Sequence, residues 1–318
     1  MAASRRVRVV FFDLGGTLID AAGRPYPHVP GALATVARFK ASRAARASRA
    51  SGGHRLLTAL VSDFDLVDPP ATTAKVKSVF GRYLAMLAET GLLPHFEPVN
   101  RRVTLSTHAG VMKPDAAVFR LALTRLRSTA SLAQCLLVTE HAGHVRAARQ
   151  SLHMQALQFG TRSGPGYDFH DWCQLPGMVA HLIEGTPGAN TRAALRWFLH
   201  TTHAFDAETI EAQMHGRRLA VHGTLWTPVE TPAQGGERLH LPFPTSGIVT
   251  CGEKGEFSSV RIAAPGATEV AEAQNFVRSL TRHGQLRGAR GPLEAATHAI
   301  EVDDQGRRKL VRRRFSAV

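Results

Sequence analysis

A chain of 318 residues is long for one domain and sufficient for two, each burying its own core. A hydrophobic share of 44% beside 20% charged residues excludes wholesale disorder, and three scattered cysteines, Cys135, Cys173 and Cys251, supply neither a disulfide framework nor a Cys-type zinc site, which suits a reducing cytosol. The net charge of +14 raises nucleic acid as a partner, yet much of the excess sits in residues 40–55 and 307–314. Arg43, Arg46 and Arg49 would share one helix face among alanines and serines. A solvated surface segment is the ordinary reading of such a run; polyanion binding is the minor one, and its mark would be an affinity that falls steeply with salt. Arg5, Arg6 and Arg8 precede an apolar run that Asp13 and the glycines cut short, so no signal peptide and no membrane span is expected, and the expected location is cytoplasmic.

The first element is an apolar, β-branched and aromatic run over 7–12, followed by Asp13-Leu14-Gly15-Gly16-Thr17-Leu18. This reads as a buried parallel strand that delivers Asp13 to a tight turn at its C-terminal end. Ligands of open α/β sheets bind at such ends, and the two glycines let backbone N–H groups approach an anion closely. Residues 29–40 have helical spacing with Pro30 in the first turn. Residues 56–64 form a second buried strand ending in Ser62 and Asp63. A helix is predicted over 72–90, with Val76, Val79, Phe80, Leu84 and Leu87 inward and Gly91 as C-cap.

A strand over 102–107 leads into Gly110-Val111-Met112-Lys113-Pro114-Asp115, with Pro114 in the first turn of a helix running to Arg127. Another strand over 132–139 ends at Glu140, with His141 and His144 close behind and a helix over 145–152. A strand over 154–159 and a helix within 170–184 close the first domain, 1–184. Residues 185–216 read as a helical linker, with helices over 191–201 and 207–215 and Asp206 as the second N-cap. From 217 to 318 the texture is that of an α+β domain. It has strands over 219–226, 238–243, 247–251 and 257–263, and a helix over 268–284 with Val270, Ala273, Phe276, Val277 and Leu280 inward. A hairpin of 296–302 and 308–315 follows. His298, Glu301, Asp303 and Asp304 read as the polar face of that hairpin, with a metal cluster as the alternative.

The run Asp13 to Leu18, the strand ending in Ser62, the stretch from Ser106 through Gly110 to Lys113-Pro114-Asp115, and the strand ending at Glu140 resemble, in that order, the four motifs of the haloacid dehalogenase (HAD) superfamily. The resemblance covers residues 7–184 and implies a doubly wound, Rossmann-like parallel sheet. It implies that Asp13 is the nucleophile that becomes an aspartyl-phosphate, and that Ser62 and Lys113 hold the transferring oxygens, with N–H groups at Gly16 and Thr17 adding contacts. It also implies that Asp13, the Gly15 carbonyl and Glu140 coordinate Mg2+. The expected activity is thus phosphatase chemistry on a small phosphorylated substrate. The short interval between the first two motifs leaves no room for a large cap.

Two departures matter. Gly15 stands where most family phosphatases carry an acid, and it can neither protonate a leaving oxygen nor activate water. Glu140 stands where Asp is usual, and the expected second acid of that motif falls at His144 or Val145. A slow enzyme, or a leaving group that needs no proton, is the reading these allow; a catalytically degenerate binding or regulatory protein is the alternative. His141 and His144 are the candidate substitutes as proton carriers or ligands.

Overall fold

The structure is a computed structural model that describes residues 6–41, 55–164, 166–185, 187–213, 217–230, 238–287 and 296–312. The basic segment with Arg43, Arg46 and Arg49, and the end of the chain from 313, lie outside the described residues. Two units are distinguished: Met1–Ala194 with Glu253–Glu256, and Leu195–Gly252 with Phe257–Val318.

In the first unit, β1 (Val9–Phe12), β2 (Leu57–Ser62), β3 (Val103–Leu105), β4 (Cys135–Thr139) and β5 (Gln155–Gln158) form one parallel sheet in the order β3-β2-β1-β4-β5. β1 is apolar throughout and β2 and β4 are largely so, because both faces of the sheet are covered. The alternating pleat sends Val9, Phe11, Ala59, Val61 and Leu137 against Val118, Phe119 and Ala122 of α5 (Ala116–Arg125) and Val145 and Ala148 of α6 (Ala142–Gln150). Phe12, on the opposite pleat, meets Phe96 and Trp172, on the side where α1 (Val29–Val36) packs on α7 (Leu175–Glu184). The unit is therefore α/β with a Rossmann-like strand order, and the order reverses between β1 and β4.

α2 (Thr73–Glu89) opens on Thr72, which caps the helix rather than belonging to it, its hydroxyl accepting from Lys75 N at 3.3 Å, and Gly91 at φ 72° follows the helix end, as the sequence predicts. The strand expected over 102–107 is shorter. α3 (Val99–Arg102) and α4 (Ser106–Ala109) flank it. The Ser106 hydroxyl donates to Phe64 O at 2.6 Å and accepts from Phe64 N at 2.9 Å, which ties the start of α4 to the loop after β2. Pro114 is not in the first turn of α5. Asp115 caps that helix by accepting from Ala117 N at 2.8 Å, so the proline falls one residue ahead of the cap.

α8 (Ala189–His203) enters the second unit at Leu195. There β6 (Phe205–Ala212), β7 (Arg218–Glu230), β8 (Arg238–Cys251), β9 (Phe257–Ile262), β10 (Leu286–Arg287), β11 (His298–Val302) and β12 (Arg308–Arg312) form a mixed sheet. Its order is β10-β11-β12-β8-β7-β6, with β9 paired to β8. Its core packs Val229, Leu239, Leu241, Phe243 and Leu310 against Val277 and Leu280 of α9 (Ala267–Arg282).

Three expectations fail here for identifiable reasons. Residues 207–212 are strand, not the second linker helix, and Asp206 is a strand residue rather than an N-cap. The register slips between Ala207 and Thr209. This bulge puts the buried Ala207 and Ile210 three residues apart, a spacing that imitates a helix. Gly223 serves the same bulge, since a Cβ there would lie 2.1 Å from Asp206 O. The two short strands expected over 238–251 are one, because Pro242 and Pro244 occupy outward positions on either side of the buried Phe243. Phe276 is 48% exposed, since the inward stripe of α9 runs through Val270, Ala273, Val277 and Leu280. Among the described residues no helix is long and apolar enough to cross a membrane.

Candidate active site

β1 is buried along its whole length, and it carries Asp13 out at the C-terminal edge of the sheet, where Asp13 N still bonds Val138 O of β4 at 3.0 Å. Asp13 therefore stands at the crevice where the strand order reverses. Its Oδ2 is 2.5 Å from Lys113 Nζ, with 10% and 1% of the two side chains exposed. The same oxygen accepts from the Thr139 hydroxyl at 3.1 Å, and Oδ1 accepts from Leu14 N at 2.9 Å. A desolvated ion pair of this kind is held by its hydrogen bonds as much as by charge. Lys113 also donates from Nζ to Val61 O at 3.1 Å and from its backbone N to Asp63 Oδ1 at 2.9 Å. It thus grips β2 on either side of Ser62. The buried Ser62 faces the phenol of Tyr83, whose pKa burial pushes up, with the Asp13 charge adding to the effect.

The turn after Asp13 is closed by Thr17 N, Leu18 N and Ile19 N, which all donate to Leu14 O. Thr17, expected to offer its N–H to an anion, uses it here, and its hydroxyl donates to Glu140 Oε2 while accepting from Glu140 N at 3.0 Å. Gly16 has φ 67°, and a Cβ on it would lie 3.0 Å from Glu140 Cγ and Cδ. Both conformation and space therefore favour glycine. Gly16→Ala is expected to destabilise the first unit by about 1–2 kcal/mol for the left-handed backbone alone, measured as a lowered urea midpoint. An unchanged midpoint would show that the turn relaxes away from Glu140.

The donors Asp13, the Gly15 carbonyl and Glu140 are all hard oxygens, the chemistry that suits Mg2+. The described hydrogen bonds to the Glu140 carboxylate, from Thr17 and at 3.4 Å from Thr139, both end on Oε2, while Oε1 rests against Gly16. The set fits a hard cation. Among the described residues, two groups of His, Cys, Asp or Glu have liganding atoms within 4.8 Å of one another: His28, Asp171 and Cys173, and His200, Asp303 and Asp304. In the first, Asp171 is already engaged, its Oδ1 accepting from Cys173 N at 2.8 Å. In the second, the carboxylates are already met by cations. Arg307 Nε lies 2.7 Å and Lys309 Nζ 3.2 Å from Asp303 Oδ2, and His200 reaches Asp304 rather than His298 joining the hairpin acids.

α6 begins beside the crevice. His141 caps it, with its Nδ1 accepting from His144 N at 3.2 Å, and the two rings stack at 4.1 Å. Gly143 leaves room for this, since a Cβ there would meet His141 Cε1 at 2.9 Å. His144 Nε2 lies 4.0 Å from Asp63 Oδ2, and its Nδ1 is buried with no partner. Burial first, then the charges of Lys113 and His141, push the His144 pKa down, so the ring is neutral at pH 7.

Asp13, Lys113 and Thr139 thus touch directly, Glu140 joins through Thr17 and Thr139, and Ser62 is bracketed by the contacts of Lys113. Sequence reasoning gave no role to Thr139, to Asp63 as an anchor for Lys113, or to Tyr83. The spacing Val79-Tyr83-Leu87, all buried, is the signal that could have found the last. The chain matches no protein-family model, and a search of curated proteins finds no match.

Proposed function

We propose that this protein is a HAD-like, Mg2+-dependent phosphohydrolase that acts on a small phosphate ester through Asp13. The observation that carries the reading is the buried Asp13–Lys113 pair at 2.5 Å, set at the reversal point of a parallel sheet. A carboxylate oxygen of Asp13 attacks phosphorus, the ester oxygen leaves with its electron pair, and water then hydrolyses the aspartyl-phosphate. Lys113, paired with Asp13, becomes a shared partner of the phosphoryl oxygens, and so offsets charge that grows in the transition state. Ser62 donates its hydroxyl to the same group. Asp13, the Gly15 carbonyl and Glu140 would hold Mg2+, which when bound supplies further charge neutralisation to the phosphoryl group.

The test is Mg2+-stimulated phosphate release from p-nitrophenyl phosphate, whose leaving group needs no proton and so bypasses the missing acid at Gly15. Asp13→Asn and chelation by EDTA are each expected to abolish release. Equal, slow release by wild type and Asp13→Asn would overturn the reading. A second reading, phosphate binding without turnover, is favoured by Gly15, which leaves no side chain beside the nucleophile. Its mark is phosphate-dependent thermal stabilisation with no phosphate released.

A further inference from the structure

We propose that Asp63 is the general base of the hydrolytic step, and that His144 holds the attacking water against it through Nε2–H. The inference rests on the phosphohydrolase reading and answers the gap that reading leaves, since Gly15 has no group to take a proton. Asp63 follows Ser62 directly at the end of β2, and its two oxygens are differently occupied. Oδ1 is fixed by the backbone N–H of Lys113 at 2.9 Å, the residue whose ammonium lies on the nucleophile. Oδ2 faces His144 Nε2 at 4.0 Å. That gap exceeds a direct hydrogen bond and is short enough for one water to touch both groups.

The orphaned Nδ1 decides which way the ring is used. A hydrogen on Nδ1 would be a buried donor with no acceptor, so the neutral ring carries its hydrogen on Nε2, toward Asp63. The charged or titratable groups around the ring are Asp63 from β2, Lys113 ahead of α5, Asp13 from β1 and His141 on its own helix. A water held this way donates one hydrogen to Asp63 Oδ2 and accepts from His144 Nε2, which leaves a lone pair free. In the step itself the water oxygen bonds to phosphorus and its proton passes to Asp63. The bond from phosphorus to the Asp13 oxygen breaks, so Asp13 recovers its carboxylate and inorganic phosphate departs. Asp63 then loses the proton to solvent.

The experiment is rapid-quench turnover of p-nitrophenyl phosphate with Mg2+ by the full chain and by Asp63→Asn, which keeps an Oδ1 acceptor for Lys113 N–H. The variant is expected to release one equivalent of p-nitrophenolate per enzyme in a burst. Its steady rate should then be slowed about 10²- to 10⁴-fold, the usual worth of a general base, with phosphorylated enzyme trapped on acid quench. His144→Gln is expected to show the same burst and a smaller slowing. Turnover by Asp63→Asn within about twofold of wild type and without a burst overturns the proposal, while loss of activity in Asp13→Asn leaves the nucleophile reading standing. Absence of Asp13-dependent release in the wild type removes both. Should Asp63→Asn fail to fold, His144→Gln decides: a burst followed by slowed turnover supports the proposal, and unchanged turnover overturns it.

Discussion

Lys113→Met is expected to cost the first unit about 3–5 kcal/mol of stability, the usual penalty for stranding one member of a desolvated ion pair, and to end turnover. Only 1% of the Lys113 side chain and 10% of that of Asp13 is exposed, so water cannot replace the lost ammonium. The Thr139 hydroxyl and Leu14 N–H remain on Asp13, and two neutral donors do not offset a buried negative charge. The informative companion is the double variant Asp13→Leu/Lys113→Met. Replacing both members of a buried pair by apolar groups of similar volume is often neutral or stabilising, so the double variant is expected to regain most of the lost stability while remaining inactive. Urea denaturation of the wild type, both single variants and the double variant measures the coupling. A Lys113→Met cost below about 1 kcal/mol would mean that the pair is as well solvated as a surface bridge.

Asp303→Ala is expected to destabilise the second unit by about 2–4 kcal/mol, somewhat under the fully buried case because the neighbouring Asp206 and Asp304 are 40% and 70% exposed. Asp303 does two jobs at the β11–β12 turn. Oδ1 accepts from Gln305 N at 3.0 Å and from Arg307 N at 2.9 Å, which shapes the turn. Oδ2 accepts the side chains of Arg307 and Lys309, and Lys309, itself 10% exposed, also pairs with Asp206 at 3.2 Å and lies over the Trp226 ring. Removing Asp303 leaves two largely buried cations with one carboxylate fewer.

The same network makes the stability of this unit depend on pH in both directions. Burial pushes the Asp303 carboxyl up, but the Arg307 backbone and side chain and Lys309 outweigh it and bring the pKa down to about 2. At Asp206 burial likewise raises the pKa, and His200, Trp226 and Lys309 lower it further than burial lifts it. The stability these two acids contribute is present above the unfolded value of 3.8 and is lost as pH falls through their folded values. His200 moves the other way. Its bond to Asp206 at 2.6 Å outweighs burial, and Asp304 adds to it, so its pKa rises above 6.5. That contribution is complete below 6.5 and is lost as pH rises through the folded pKa. This network should therefore contribute most between about pH 4 and 6.5, against His203, His240 and His298 of the same unit, whose pKa values burial lowers and whose contribution is lost as pH falls below 6.5. In Asp206→Ala the decline on the alkaline side should flatten, and a decline unchanged in that variant would remove His200 as its source.

What the sequence by itself determined is local. An apolar run followed by Asp13 and two glycines has one economical conformation, a buried strand ending in a tight turn, and the same holds for the runs before Ser62 and Thr139. The α/β character of the first 184 residues and the placing of Asp13 at a strand end were legible for that reason, whereas Lys113 and Glu140 became candidates only through the resemblance. Where a local pattern had two readings, it misled: the bulge in β6 spaces its inward residues as a helix would, and only pairing with β7 selects the strand. Contacts between distant positions were decided by the tertiary structure alone. Thr139 reaches Asp13 across 126 residues, Lys113 reaches Asp63 across 50, and Lys309 reaches Asp206 across 103. Each depends on which strand ends lie side by side and in what register. Periodicity within a segment carries no information about the order of strands in a sheet, and so the Thr139 hydroxyl on Asp13 and the Asp63 carboxylate on Lys113 emerged only when the sheet was assembled.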